Sequence, residues 1–278
     1  MKKILLVFFW LVLSSQASCS DEHRQTQSSD ISLEGTGSLT IIFEGGADSG
    51  FSDHEKQLIT DLLTHAEQKV RALLPTLPDA IEVTAMVIDR DVDIVGGVTG
   101  RADAPGKVLI EISSVFPGGI SAAAQGALSS TIFHEFHHLA RGWTIQGNKF
   151  GPGIPIAAVN EGLATVFAEE YTGVCFEEAY SYPEDAAAWL QEILALPVDA
   201  DYSTWMMGEH PDGRNSIGYR VGRYIVHQAT ANSGKSILEL SSLAPEEILR
   251  LAVSGRSPGI DMIGWYRPQA AVQYFALV

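Results

Sequence analysis

The chain has 278 residues, 46% of them hydrophobic and 19% charged, which is ample material for a buried core in one large domain or two small ones. Its formal net charge of -16, from 18 basic against 34 acidic residues, favours solubility. With no cluster of Lys and Arg it excludes a nucleic-acid partner, because phosphate backbones are bound by clustered basic side chains.

The chain opens with MKKILLVFFWLVLSSQASCS: two lysines, a continuous apolar run from Ile4 to Leu13, then small and polar residues. That is the layout of a secretory signal. The run is too short to span a bilayer, which takes about 20 apolar residues in a helix. Ser15-Gln16-Ala17 suits ordinary signal peptidase, whereas Ala17-Ser18-Cys19 resembles the end of a bacterial lipoprotein box, with Gln16 where that box prefers Leu. The lipoprotein reading is favoured because a polar, Ser-rich stretch follows directly and a lone exported cysteine otherwise needs explaining. It implies membrane attachment through a lipidated Cys19 in the bacterial cell envelope; without it the chain is periplasmic or secreted, and a Cys19–Cys175 bridge is the competing expectation. The chain therefore divides into a signal peptide over 1–18, a polar tether over 19–38 and a folded domain over 39–278.

Within the domain LTIIFEG, residues 39–45, reads as a short strand. Ser52 and Glu55 then stand in capping-box spacing before a helix whose apolar positions Leu58, Ile59, Leu62, Leu63, Ala66, Val70 and Leu73 recur every three or four residues and stop at Pro75. Residues 80–88 alternate in part, with Ile81, Val83, Ala85 and Val87 facing one way, and residues 107–113 form another strand. The Gly-rich stretch between them, VGGVTGRADAPG, reads as a loop. Helices are expected over 121–142, 157–171, 184–195, 216–231 and 244–254, with an irregular loop at 196–215. Strands and a helix first, helices afterwards, make an α+β fold: a small N-terminal β-sheet with a helix, then a mainly helical part.

Chemistry concentrates in TIFHEFHHLARGW, residues 131–143. His134 and His138, four apart, share one helix face at a separation that one metal ion bridges, and Glu135 completes H-E-x-x-H. A catalytic zinc usually takes a third protein ligand and keeps one position open. Glu161, opening the apolar helical run of VNEGLATVFAEE, supplies a candidate.

The H-E-x-x-H helix followed by an Asn-Glu-Gly helix resembles the gluzincin metallopeptidases. The closer resemblance is to a bacterial family of predicted zinc-dependent proteases, carried by HEFHHLAR, NEGLA and the later GYRVGRYIV. The resemblance implies a zincin-like metallopeptidase domain with one Zn2+ per chain, held by His134, His138 and Glu161. A water takes the open position and Glu135 acts as general base, on a peptide or protein substrate. More residues separate His138 from Glu161 than in the zinc aminopeptidases, and the substrate-amine motif of those enzymes is absent, which argues against an aminopeptidase. Thr165 stands where the thermolysin-like pattern has Asp, leaving Glu169 as the candidate to orient a ligand histidine.

Tyr219, Arg223 and His227 lie four apart on one helical face, with Gly218 and Gly222 free of bulk for a close helix approach. Tyr219 is the first choice of oxyanion donor and His227 the second; core packing is the ordinary fate of such a tyrosine. His137 is expected to pack or hydrogen-bond, His54 and His65 to be solvated, and Arg141 to pair with a carboxylate or support its helix end. Residues 107–113 are expected to serve as an exposed edge strand for an extended peptide, and 196–215 as a wall of the cleft. Three other readings remain open: a non-catalytic zincin-fold binding lipoprotein with a structural zinc, a zinc amidohydrolase acting on a non-peptide amide, and a histidine-rich buried helix without metal.

Overall fold

In the computed structural model four strands, β1 (Ser38–Phe43), β2 (Ala80–Ile88), β3 (Val98–Ala104) and β4 (Lys107–Ser113), pair in the order β1-β2-β4-β3. The structure describes residues 37–45 and 49–254; the expected signal peptide, Cys19 and the tether up to residue 36 lie outside the described residues. β1, β2 and β4 run parallel, and β3 returns antiparallel beside β4. Alternate residues Ile81, Val83 and Ala85 of β2 and Val108, Ile110 and Ile112 of β4 are buried towards the helices. The opposite face is polar: Lys107 lies across from Glu82 and bonds its carboxylate at 3.1 Å.

Helix α1 (Asp53–Leu73) crosses from β1 to β2, and its first turn is closed by the Ser52–Glu55 capping box that the sequence predicts. Ile59, Leu63, Ala66 and Val70 form its buried stripe. Two sequence expectations fail on this side of the molecule. Residues 95–106 contain a strand, β3, rather than only a loop. Its inward positions Val98, Gly100 and Ala102 are small because a helix presses on them, so the usual large apolar alternation is missing. Consequently 107–113 is an interior strand, paired on both sides, and β3 forms the edge.

The remainder is helical. α2 (Gly119–Ala123) runs through a π-helical turn, Ala124–Leu128, into α3 (Ser129–Arg141). α4 (Ile154–Thr172) is buried on nearly every side as far as Ala168, as a central helix must be. Short α5 (Glu177–Tyr180), then α6 (Ala186–Leu194), α7 (Ile217–Ser233), α8 (Ile237–Ser241) and α9 (Pro245–Val253) complete the fold. Residues 196–215 are irregular apart from a π-helical turn at Ser203–Met207 and a single bridge between Glu209 and Asn215. No helix among the described residues is long and apolar enough to cross a membrane.

α4 and α7 meet backbone to backbone. A methyl group on Gly162 would fall on the Gly222 carbonyl group, and one on Gly222 would fall on the Ala158 carbonyl oxygen. Gly218, by contrast, makes room for the Met206 side chain. The interlock is testable by urea unfolding. Gly222→Ala should lower stability by about 3 kcal/mol, since an inserted methyl displaces rigid backbone. Gly126→Ala, whose added methyl meets nothing within 4 Å, should be neutral or slightly stabilising.

Candidate metal centre

α3 brings His134 and His138 to one face, with their Nε2 atoms 3.0 Å apart. From α4, Glu161 sets its Oε2 3.1 Å from the first nitrogen and 3.2 Å from the second. All three side chains are largely buried. A neutral imidazole carries a single N–H, so two nitrogens aimed at each other and at one oxygen leave lone pairs converging on a point. Around an ion with bonds of about 2.0–2.1 Å, tetrahedral ligands lie about 3.3 Å apart, so this nearly equilateral triangle needs to open only slightly. Two imidazoles and a carboxylate are the donor set of a catalytic zinc site, and the residues present suit that ion.

The surroundings bias each group. Burial alone would raise the Glu161 carboxyl, but His138 and the hydrogen bonds of both histidines hold it well below its usual range. Glu135 points the other way. Burial pushes its carboxyl up to about 7, with His134 pulling it down and Glu161 adding to the rise. The Ala102 peptide of β3 hydrogen-bonds to Glu135, and Gly100 leaves it room: a methyl on Gly100 would stand 2.7 Å from Glu135 Cγ. The loop after α3 covers part of this same edge, with Ile145 N–H donating to the Ala102 carbonyl at 3.0 Å and Gln146 N–H to Asp103 at 2.8 Å.

A polar web ties the ligand-bearing helices together. The Arg141 guanidinium, one turn beyond His138 on α3, donates to Asn160 Oδ1 at 3.0 Å, next to Glu161, and to the carbonyls of Ser241 and Leu243 at the end of α8. Its expected carboxylate partner is thus an amide and two main-chain oxygens. His137 contacts Ser241 Oγ at 2.8 Å. That hydroxyl gives its proton to the Ile237 carbonyl, so it accepts from His137 and fixes the Nε2–H tautomer. Burial, chiefly, keeps His137 neutral.

The sequence pattern of the family described as Predicted Zn-dependent protease (DUF2268) matches residues 59–250. The chain belongs to this family. No curated protein and no solved structure matches it. The matched span takes in β2, β3, β4, the three clustered side chains and α7.

Tyr219 of α7 stacks on His134, ring centroids 6.4 Å apart and planes 23° from parallel, and Tyr180 of α5 stacks on Tyr219 at 5.5 Å. Burial holds the phenols of Tyr180 and Tyr219 protonated above the usual tyrosine range, and the charges of Glu161 and Glu135 act in the same direction. The half-exposed Tyr202 of the 196–215 loop lies near enough to feel the charges of Glu161 and Glu135, so that loop does border the centre. α5 is clamped from α7: Arg220 donates to the Ser181 and Glu178 carbonyls, and Arg223 bridges Glu169 at 3.0 Å and Glu177 at 3.0 Å. Glu169 therefore braces Arg223 and makes no hydrogen bond to a ligand histidine. His54 and His65 are exposed, and His210 faces Asp212 and Trp205. The sequence reading passes over Tyr180, Tyr202, Gly100 and Trp143, whose indole N–H donates to Glu161 Oε1 at 3.2 Å.

His227 lies two turns beyond Tyr219, about 12 Å along the helix axis, with its Nδ1 3.1 Å from the Tyr182 hydroxyl. Burial, then Arg223, lowers its pKa from 6.5 to about 4, with Glu177 opposing. Between those values the unfolded chain binds a proton that the folded chain refuses, so His227 costs stability as pH falls from 6.5 to 4. In metal-free protein, His227→Gln should remove about 2–3 kcal/mol of the stability lost over that window, measured by urea unfolding at each pH.

Proposed function

We propose that the chain is an exported zinc metallopeptidase that hydrolyses peptide bonds with one Zn2+ held by His134, His138 and Glu161. The observation that carries this reading is the convergence of two Nε2 atoms and one carboxylate oxygen, 3.0–3.2 Å apart, beside the buried Glu135. Zinc bound there supplies Lewis acidity towards a water and the scissile carbonyl.

Glu135 accepts the proton released by the attacking water and delivers it to the leaving nitrogen. Its burial suits both halves of that task, because desolvation favours the protonated carboxyl and lets it hold the proton between the two transfers. The Tyr219 hydroxyl stays protonated and donates to the oxyanion as charge develops. An extended peptide adds to the β3 edge through main-chain hydrogen bonds over Val98–Arg101, the part that residues 145–146 leave uncovered among the described residues. Gly100 keeps that edge close to Glu135.

Elemental analysis of purified residues 20–278 should find one zinc per chain, lost or much weakened in Glu161→Ala. Glu135→Gln should retain zinc and lose hydrolysis of a peptide library by about 10²–10⁴-fold, and Tyr219→Phe should lower kcat by about 10²-fold. Native protein that takes up no zinc refutes the proposal, as does a Glu135→Gln variant as active as wild type. The fate of Cys19 is tested separately, because Cys175 is disulfide-bonded: non-reducing intact-mass analysis should show one disulfide and no acyl chain if the two cysteines pair, whereas Cys19→Ser should move the chain from the membrane fraction to the soluble one if Cys19 is acylated.

A further inference from the structure

We propose that Trp143 sets how Glu161 binds the metal, by occupying one carboxylate oxygen so that only the other reaches the ion. The inference rests on the zinc reading above and adds to it a positioning residue outside the three ligands.

A glutamate can bind a cation through one oxygen or both, and the two modes give different coordination numbers. At this centre the two oxygens have different partners. Oε2 faces both histidine nitrogens, whereas Oε1 receives the Trp143 indole N–H at 3.2 Å. Indole suits the task because it is donor only, uncharged at every pH and unable to bind the metal itself. A proton fixed on Oε1 engages the lone pair that bidentate binding would need. It also stops the carboxylate from rotating. The zinc then has three protein ligands, and a fourth position stays free for water.

The chain holds the indole in place for a reason that can be traced. Gly142 adopts a left-handed conformation, φ 73°, and ends α3. Trp143 follows immediately, its main-chain N–H donating to the His138 carbonyl at 2.9 Å. The indole is therefore carried by the helix that supplies both histidines, and it reaches across to the one ligand on another helix. Hydrogen-bond control from outside the cluster falls on the carboxylate rather than on His138, whose Nδ1 is buried with no partner among the described residues.

The test uses Trp143→Phe, which keeps an aromatic ring and removes the N–H. Zinc affinity, measured by chelator competition on purified chain, should weaken by about 10–100-fold. With cobalt(II) as the probe metal, wild type should show the intense visible bands of a four-coordinate site and Trp143→Phe the weak bands of a higher coordination number. A purely structural tryptophan would lower the melting temperature of the metal-free protein and leave both readouts unchanged. Unchanged affinity with an unchanged cobalt spectrum overturns the proposal while leaving the zinc site standing. X-ray absorption on zinc-loaded wild type reads the same bond without a variant. One carboxylate oxygen in a four-coordinate shell is expected, and two Glu161 oxygens bound to zinc overturn the proposal. A wild type that takes up no zinc removes this inference together with the reading beneath it.

Discussion

The backbone contact between Gly162 and Gly222 is the constraint on which the site depends. Two helices cross there without side chains between them, so their axes approach as closely as helices can. Glu161 immediately precedes one glycine, and Tyr219 lies one turn before the other. The crossing therefore fixes the third ligand and the stacked tyrosine by the same contact. A side chain at either glycine would push apart helices whose spacing sets the carboxylate against the α3 histidines. The Arg223 bridge to Glu169 and Glu177 reinforces the crossing from the far side and carries α5, with Tyr180, into place.

Around that crossing the protein buries an unusual load of polar groups, among them Glu135, His137, His138, Arg141, Asn160, Glu161 and Arg223. Burying a charge is costly unless it is paired or hydrogen-bonded. Most of these groups answer that demand among themselves: Arg141 with Asn160 and two carbonyls, His137 with Ser241, Arg223 with two carboxylates. Glu135 answers it differently. Among the described residues no basic side chain pairs with it; an Ala102 hydrogen bond and a shift of its carboxyl towards neutral pH take the place of a partner. At the Nε2–Nε2–Oε2 triangle two imidazoles and a carboxylate converge, the arrangement that a divalent cation would satisfy.

Much of this was legible in the sequence, for identifiable reasons. α1 announces itself through its capping box and apolar stripe, and the metal cluster through a four-residue spacing that is a property of the α-helix itself. The α+β order of elements also follows from pattern. β3 was not legible, because strand detection relies on large alternating apolar residues and this strand faces a helix through Val98, Gly100 and Ala102. Strand order was equally hidden: nothing in KVLIEIS tells whether it lies inside the sheet or at its edge. α5 and α8, at four and five residues, are too short for a period to show. Trp143, Tyr180 and Tyr202 come from three separate segments that meet only in the folded chain, so no spacing could have joined them to the site.

One consequence follows from the way the centre is divided along the chain. Both histidines, Glu135 and Trp143 fall within ten consecutive residues, 134–143, most of them in a single helix. Adding or removing one residue among them would rotate the rest by about 100° and scatter the donors. Glu161 is different, because the packing of α4 on α7 holds it in place and the chain leading to it does not. The connection over 142–153, with Gly142, Gly147, Gly151 and Gly153 all at positive φ, is therefore free to differ in length among proteins that share the same cluster. The interval between the second histidine and the glutamate records how the chain travels between two fixed helices.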